Sequence, residues 1–365
     1  MLFFTNRIID VGKTNQSAFG TAFRPMDQVL GRATVTGSFD NAGKATWQLS
    51  DLHDKEGDDA MLAVLVTLFQ GTRPVLLYIH GNNNTPAKAF YRCQRLQDLY
   101  GVDVLGFSWT SEGYLPSGND PSASDQAQAT IDDGDENSLE AVKEENVTEN
   151  WISRKIAHYR QAKANAQDST RALARFLRLV NIARNYANKQ PLTVAVHSLG
   201  CHLLQKAIEM EGVQSSLASA TNVVLLAACT SRSKHAVWVG KINPISQLFI
   251  VYNEGDSVLA GANIVDSGDV KLGVNPGEDL VQSPKARYID FEGARTGFGG
   301  HGYFAARWNK KPNRDARKLF QEIFASRRDF EVGKKPKKIY PVGCNETRTV
   351  CYMGNAIADD SGTSG

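Results

Sequence analysis

The sequence of 365 residues lacks the features of several protein classes. No stretch contains the roughly 18 to 20 apolar residues that a membrane-spanning helix needs. The first residues show neither the basic nor the apolar region of a secretory signal. With 41 basic against 39 acidic residues, the chain has no charge excess of the kind that favours nucleic-acid binding. We therefore expect a cytoplasmic protein that neither binds nucleic acid nor inserts stably in a membrane.

Cysteine is scarce, with five residues at positions 93, 201, 229, 344 and 351. This odd, scattered set favours reduced thiols over a disulfide framework; pairing of Cys344 with Cys351 in an oxidising compartment is the alternative. No spacing of His, Cys and Asp resembles a metal site, and the chain has neither a Walker-type loop nor G-x-G-x-x-G after a strand. We predict no metal and no cofactor.

One stretch combines a buried strand, a turn and a helix. Residues 192–197 are aliphatic and β-branched, Ser198, Leu199 and Gly200 follow, and apolar residues then recur at helical spacing. This layout is typical of a nucleophile elbow, a sharp turn that exposes a serine Oγ beside the first amides of a helix. Ser198 is the candidate nucleophile and the Leu199 amide a candidate oxyanion donor. Val196 replaces the first glycine of G-x-S-x-G and should crowd the turn. An ordinary junction with a capping serine is the alternative.

A second strand–loop–helix pattern precedes the elbow. An aliphatic strand over 74–79 ends in His80-Gly81-Asn82, and a helix follows, from Thr85-Pro86 to a stop at Gly101. A further strand over 102–109 completes a β-α-β unit, which implies parallel strands. The loop should lie beside the elbow, with the Asn82 amide as second oxyanion donor and with His80 and Gly81 as loop support. A plain Gly/Asn turn is the alternative.

A serine nucleophile needs a base, and the base needs a group that orients it. Asp256 and His301 follow later predicted strands, over 247–253 and 286–291, in the order acid then histidine that such folds use. The acid could also be a nearby carboxylate, namely Glu254, Asp266, Asp269 or Asp290. His197 adjoins the serine, but we expect its side chain to turn away from the nucleophile.

The remaining patterns predict the domain organisation. Strands are expected over 2–7, 31–37 and 222–228, and helices over 58–69, 151–188 (in two pieces) and near 313–324. Residues 1–330 are predicted to form one α/β domain. Residues 110–150 form a polar, acidic insertion, either a lid over the site or a solvated surface excursion. Residues 331–365 are predicted to be a basic linker and a disordered tail.

Six segments together resemble the α/β-hydrolase superfamily and, more narrowly, its bacterial branch labelled "alpha/beta hydrolase of unknown function". They are Thr5-Asn6-Arg7, residues 77–83, Phe107-Ser-Trp109, His197-Ser198-Leu-Gly200, the Asp256 loop and Gly300-His301-Gly-Tyr303. The resemblance covers roughly residues 2 to 325. Val196 and the acidic insertion depart from the pattern of that branch.

The resemblance implies an α/β-hydrolase fold, a mostly parallel sheet flanked by helices with the insertion over the site. It also implies a serine hydrolase, esterase- or lipase-like, that cleaves a small-molecule ester, thioester or amide through an acyl-enzyme. Ser198, His301 and Asp256 would form the triad. The alternative is a non-catalytic binding or scaffold protein of the same fold. A phospholipase acting at membranes would need an apolar lid, and residues 110–150 are polar.

Overall fold

The computed structural model describes residues 1–41, 43–118, 149–187, 189–292, 300–305, 314–326, 342–347 and 349–353. Its strands are β1 (Leu2–Thr5), β2 (Arg7–Ile9), β3 (Phe19–Phe23), β4 (Gly31–Phe39), β5 (Ala45–His53), β6 (Val75–Ile79), β7 (Asp103–Ser108), β8 (Leu192–His197), β9 (Asn222–Leu226), β10 (Gln247–Tyr252), β11 (Ala286–Asp290), β12 (Val342–Cys344) and β13 (Val350–Met353). Its helices are α1 (Asp58–Phe69), α2 (Pro86–Tyr100), α3 (Glu149–Asp168), α4 (Thr170–Tyr186), α5 (Leu199–Ala207), α6 (Val213–Ser219), α7 (His235–Val239), α8 (Ser257–Val265) and α9 (Arg314–Phe324).

The described residues form an 11-stranded sheet in the order β12-β13-β11-β10-β9-β8-β6-β7-β1-β4-β5, and a separate pair β2-β3. All neighbours from β13 to β1 are parallel, whereas β12, β4 and β5 pair antiparallel at the two edges. The central strands β6 and β8 are buried at every residue. Parallel strands that are covered on both faces require such continuous apolar runs. The strands β6 and β8 could therefore be predicted from the sequence.

The direction of chain travel reverses between β6 and β8. From β6 the chain passes through α2 to β7 on one side, and from β8 through α5 to β9 on the other. Because both crossovers between parallel strands are right-handed by rule, α2 and α5 belong to opposite faces of the sheet. The carboxyl ends of two strands that diverge in this way border a crevice, which is the usual ligand site of open α/β sheets.

Helix α2 begins and ends where its sequence predicts. Thr85 caps α2 by accepting a hydrogen bond from the Lys88 N–H at 3.3 Å, and Gly101 ends the helix with a left-handed φ of 63°. The predicted apolar stripe of α4 is buried, and α4 packs against α1, α5 and α6. The helix predicted over 151–188 is interrupted at Ser169, which separates α3 from α4. The predictions of fold class, of α1 and of the β6-α2-β7 unit are confirmed.

Three predictions need correction. The strands β3 and β5 were missed, because both are partly exposed and lack a continuous apolar run. The tail predicted over 331–365 is wrong for β12 and β13, since β13 extends the sheet beside β11. The insertion begins later than predicted, because residues 110–114 are buried. Residues 119–148, which hold most of the predicted lid, lie outside the described residues, and one domain over 1–330 stays a prediction.

The cysteines divide into two groups. Cys344 and Cys351 face each other across the β12–β13 hairpin and form a disulfide, so the prediction of reduced thiols is wrong for this pair. Cys93, Cys201 and Cys229 are free and buried. Burial raises the pKa of all three thiols, which keeps them protonated and unreactive. Across the described ranges, no helix combines the length and apolarity needed to cross a bilayer.

Candidate active site

Ser198 lies at the turn between β8 and α5 in a conformation that few side chains adopt. Its φ is 51° and its ψ is −121°. A non-glycine residue in such a region costs about 1 to 3 kcal/mol and persists only where the surroundings impose it. Here the Ser198 N–H donates to Leu226 O at 2.9 Å, and Ser198 O accepts from the N–H groups of Cys201 and Cys229 at 2.9 and 3.1 Å. The structure therefore forms the strained turn that the sequence predicts.

Two glycines permit a close approach between the β6 loop and the elbow. A Cβ on Gly81 would lie 2.7 Å from Ser198 Cβ, and a Cβ on Gly200 would lie 2.6 Å from His80 O. Val196, in contrast, lies within β8 in register with Ile79 and Leu225. The closest backbone approaches of this turn thus fall at residues 81 and 200, and the crowding expected of Val196 stays a prediction.

His80 ends β6 and is held by Trp109, which follows β7. The Trp109 backbone N–H donates to His80 Nε2 at 3.2 Å, the indole Nε1–H donates to His80 O at 3.0 Å, and the two rings stack 4° from parallel. Because Nε2 accepts, the ring proton lies on Nδ1, which donates to Gly81 O at 3.0 Å. Burial lowers the pKa of His80 to about 3, so the ring is neutral. His80 supports the loop geometrically.

The two candidate oxyanion donors flank Ser198. Leu199 is the first residue of α5, so its N–H is one of those that a helix leaves without an intrahelical acceptor. Asn82 follows Gly81 in the loop that contacts the serine, and its carbonyl accepts a hydrogen bond from Asn84 Nδ2 at 2.7 Å. Both amides belong to segments with fixed backbone, as a preorganised anion site requires.

Asp256 and His301 come together although 45 residues separate them. His301 Nδ1 contacts Asp256 Oδ2 at 2.7 Å, and both side chains are buried. The other carboxylate oxygen, Oδ1, accepts from the Leu259 N–H at 2.9 Å, since Asp256 is also the N-cap of α8. A carboxylate at Nδ1 fixes the imidazole proton there, which makes Nε2 the basic atom of the ring.

The four other carboxylates considered from the sequence have different partners. Glu254 accepts a hydrogen bond from Asn275. Asp266 pairs with Lys163 and Lys271. Asp269 pairs with Lys271, and Asp290 accepts from the Glu292 N–H. Among these carboxylates, Asp256 is therefore the one that the structure places against His301.

Two further residues fix the His301 loop, and the sequence did not assign them a role. Asn253 Nδ2 donates to Gly300 O at 2.9 Å, and Asn253 Oδ1 accepts from the Gly255 N–H at 3.0 Å. The Tyr303 hydroxyl donates to Val251 O at 3.0 Å and accepts from the Ala227 N–H at 2.8 Å. Only the position of these two residues in the sequence could have indicated their role. Asn253 directly follows β10, and Tyr303 ends the motif around His301.

The side chain of His197, which we expect to turn away from Ser198, packs beside the ring of His301. The two imidazole rings lie 4.7 Å apart, and the Phe304 ring lies 4.9 Å from His197 on another side. Burial, and then the positive charge that His301 can carry, hold the pKa of His197 well below its usual range. A neutral His197 thus packs beside the candidate base without competing for its proton.

Three of the four remaining histidines, His202 excepted, make contacts away from Ser198 and His301, and no metal cluster is found within the part of the chain that the structure describes. His53 pairs with Asp51, His158 Nδ1 contacts Glu112 O at 2.9 Å, and His235 contacts the Tyr288 hydroxyl at 2.8 Å. No group of three or more His, Cys, Asp or Glu side chains in those described ranges is placed to hold an ion.

A mostly parallel sheet with helices on both faces, a strained serine after a central strand and a buried Asp–His pair after two later strands define an α/β-hydrolase fold. Sequence comparison gives the same assignment, because the family described as alpha/beta hydrolase of unknown function matches residues 63–307. The chain therefore belongs to this family. No curated protein and no solved structure matches it.

Proposed function

We propose that this protein is a serine hydrolase that cleaves an ester, or a thioester or amide, of a small-molecule acyl substrate through an acyl-enzyme. The observation that carries the proposal is the buried 2.7 Å contact between His301 Nδ1 and Asp256 Oδ2 on the same sheet edge as the strained Ser198. A serine hydroxyl is a weak nucleophile by itself, and this arrangement supplies an oriented base.

Each residue has a role in the proposed reaction. Ser198 Oγ attacks the acyl carbon while His301 Nε2 takes the hydroxyl proton. The carbonyl oxygen becomes an oxyanion that the Asn82 and Leu199 amides stabilise. His301 then protonates the leaving group as the tetrahedral intermediate collapses to the acyl-enzyme. Asp256 stays ionised and stabilises the imidazolium. Water, activated by His301, hydrolyses the acyl-enzyme in a second round and restores Ser198.

A fluorophosphonate probe and short p-nitrophenyl esters test the proposal. We expect labelling and hydrolysis by the wild type, complete loss of labelling in Ser198→Ala, and strong loss in His301→Ala. His53→Ala is the matched control, because that histidine is partly exposed and pairs with Asp51. If the well-folded wild type is neither labelled nor active, the hydrolase proposal is wrong, and a non-catalytic binding protein of this fold takes its place.

The compartment is a separate proposal. We propose the cytoplasm, as the sequence predicts, and one observation opposes this: the Cys344–Cys351 disulfide is of a kind that forms in oxidising compartments. Thiol alkylation of protein extracted directly into alkylating reagent decides between the two. Alkylation at both residues supports the cytoplasm, and protection of both overturns it.

A further inference from the structure

Arg7 begins β2, two residues after the end of β1, and its side chain is wholly buried although it carries a charge. Its guanidinium donates to Trp109 O at 2.7 Å, to Glu112 Oε2 at 2.5 Å and to Gly20 O at 3.1 Å. Glu112 is buried as well. Two of these acceptors belong to the loop that follows β7, and this loop contacts the candidate oxyanion loop.

The contacts between the two loops are numerous. Trp109 holds His80 by two hydrogen bonds and a stacked ring, as described above. Beyond it, Ser111 O accepts from the Asn83 N–H at 2.9 Å, and Ser111 Oγ accepts from the Asn84 N–H at 3.0 Å. Asn82, the candidate donor, lies between His80 and Asn83. Its amide can keep its position only while residues 109–112 keep theirs.

The loop of residues 109–112 is fixed from two sides. On one side is Arg7. On the other is α3, where His158 Nδ1 contacts Glu112 O at 2.9 Å and a Cβ on Gly113 would lie 2.4 Å from His158 O. The Glu112 carboxylate and the Trp109 carbonyl, three residues apart, are thus bound to one guanidinium nitrogen.

Stability alone gives a poor account of this ion pair. Burying two charges has a desolvation cost that their attraction repays only with excellent geometry, and apolar replacements are often at least as stable. The geometry here is not the bidentate optimum. One nitrogen makes the contact, and Arg7 Nε and Glu112 Oε1 have no hydrogen-bond partner among the described residues. The pair does, however, fix the position of the Trp109 carbonyl, because the same Arg7 nitrogen binds Glu112 and this carbonyl.

We propose that Arg7 is a positioning residue that holds the Asn82 amide in place through Trp109 and the loop of residues 109–112. This role rests on the proposed function, because it assigns the Asn82 amide to the oxyanion. Arg7 itself does not touch the reacting atoms. The motif Thr5-Asn6-Arg7, which the triad leaves without a role, thereby gains one.

Three variants and a control test the proposal: Arg7→Met, Arg7→Lys, the double variant Arg7→Met with Glu112→Leu, and Arg184→Met. Arg184 is a matched control because it too is a buried arginine that binds backbone carbonyls. These belong to Gln190, which precedes β8, and to Ser219, which precedes β9, so they lie near the amino ends of the strands and not near Ser198. The readouts are urea unfolding, kcat and KM for p-nitrophenyl acetate, and hydrogen exchange of residues 80–84 against residues 192–197.

In Arg7→Met we expect kcat to fall about 10- to 100-fold, the size that a displaced oxyanion donor produces, with KM unchanged within about twofold. Hydrogen exchange of residues 80–84 should become faster, while residues 192–197 should stay protected from exchange. Arg7→Lys should recover only part of kcat, because an ammonium lacks the planar fork of donors. The double variant should recover stability without recovering kcat or protection. Arg184→Met should lose stability but keep the wild-type kcat and the wild-type protection of residues 80–84 from exchange.

The proposal is overturned if the double variant recovers kcat, if Arg184→Met loses as much kcat as Arg7→Met, or if exchange over 80–84 does not change. Failure of the proposed function looks different. In that case the wild type neither hydrolyses the ester nor reacts with the fluorophosphonate probe, while increased exchange over 80–84 in Arg7→Met still shows that Arg7 holds the loop.

Discussion

The loops on the two sides of Ser198 are held by different kinds of contact. On the side of Asn82, the β6 loop is fixed through Trp109 to the buried charges of Arg7 and Glu112. On the side of His301, the loop is fixed by neutral groups, Asn253 and Tyr303, apart from the single carboxylate of Asp256.

This difference matches what each side must do in the proposed reaction. The oxyanion side has to present a backbone amide at a fixed position, and a rigid network of charged and aromatic groups achieves this. The base side has to accept and release a proton, so one carboxylate at Nδ1 suffices and further charge would shift the proton equilibrium of the imidazole. Substitutions on each side should therefore fail in different ways.

The largest effect is expected at the one charge of the base side. Asp256→Asn should lower kcat about 10³- to 10⁴-fold, because an amide cannot fix the Nδ1 proton or stabilise the imidazolium. Esterase kinetics measure the loss. The amide oxygen can still accept from the Leu259 N–H and cap α8, so the Tm should change little. Asp269→Asn is the matched control and should retain full activity.

On the oxyanion side, Gly81→Ala should lower kcat about 100-fold, which is the effect of a displacement of about 1 Å. The added Cβ would lie 2.7 Å from Ser198 Cβ and 3.1 Å from His197 O, so the loop must move. Esterase kinetics again give the result. Gly57→Ala is the control, because its Cβ would meet no atom within 4 Å. Activity of Gly81→Ala within threefold of wild type would contradict the assigned loop geometry.

Acid should weaken both sides, because each contains a histidine that is buried and neutral. Burial lowers the pKa of His80 to about 3 and holds that of His197 well below its usual value. Below pH 6.5 the unfolded chain therefore takes up protons that the folded one does not. Stability is complete above pH 6.5 and falls on acidification, by about 1.4 kcal/mol per pH unit for each histidine.

The variant His197→Phe isolates one of these contributions. Urea unfolding between pH 7 and pH 5 should show a smaller pH dependence than in the wild type, and the difference in slope should approach about 1.4 kcal/mol per unit toward pH 5. His53→Gln, a change at a partly exposed histidine, should leave the slope unchanged. An identical slope in His197→Phe and wild type would mean that His197 takes up its proton at the same pH in the folded protein as in the unfolded chain.

The smallest effect is expected at a neutral contact of the base side. Tyr303→Phe removes the hydroxyl that joins Val251 O to the Ala227 N–H, and we expect a loss of about 1 kcal/mol in the free energy of unfolding. Activity should stay within about threefold, because Asp256 and Asn253 still hold the loop. Urea unfolding and esterase kinetics at pH 8 check both. An activity loss as large as that of Asp256→Asn would remove the distinction between the two sides.

The sequence predicted those parts of the site that follow from chain order. Ser198, Asp256 and His301 each follow a strand pattern, and parallel strands bring their carboxyl ends to one edge. The contacts that hold these residues were not predictable in this way. Arg7 and Glu112 are 105 residues apart, and nothing in the local pattern of either residue indicates the other. The same holds for Asn253, whose partner is the carbonyl of Gly300.

One error of the sequence analysis has a physical cause in the fold. The strand β13 was read as a tail because a strand of four residues at the edge of a sheet carries little periodic signal. Its pairing with β11 depends on tertiary contacts, which the local sequence pattern does not reveal.

The position of β13 also constrains how the protein is made. A ribosome delivers the strands in order, so β11 is synthesised some 60 residues before the strand that will cover its outer side. Throughout that interval the backbone of β11 offers unpaired groups to any other nascent chain. Residues 342–353 end this exposure when they emerge, because β13 pairs with β11 and β12 pairs with β13. Chains that terminate early should therefore aggregate, even though every residue of the proposed triad is already present.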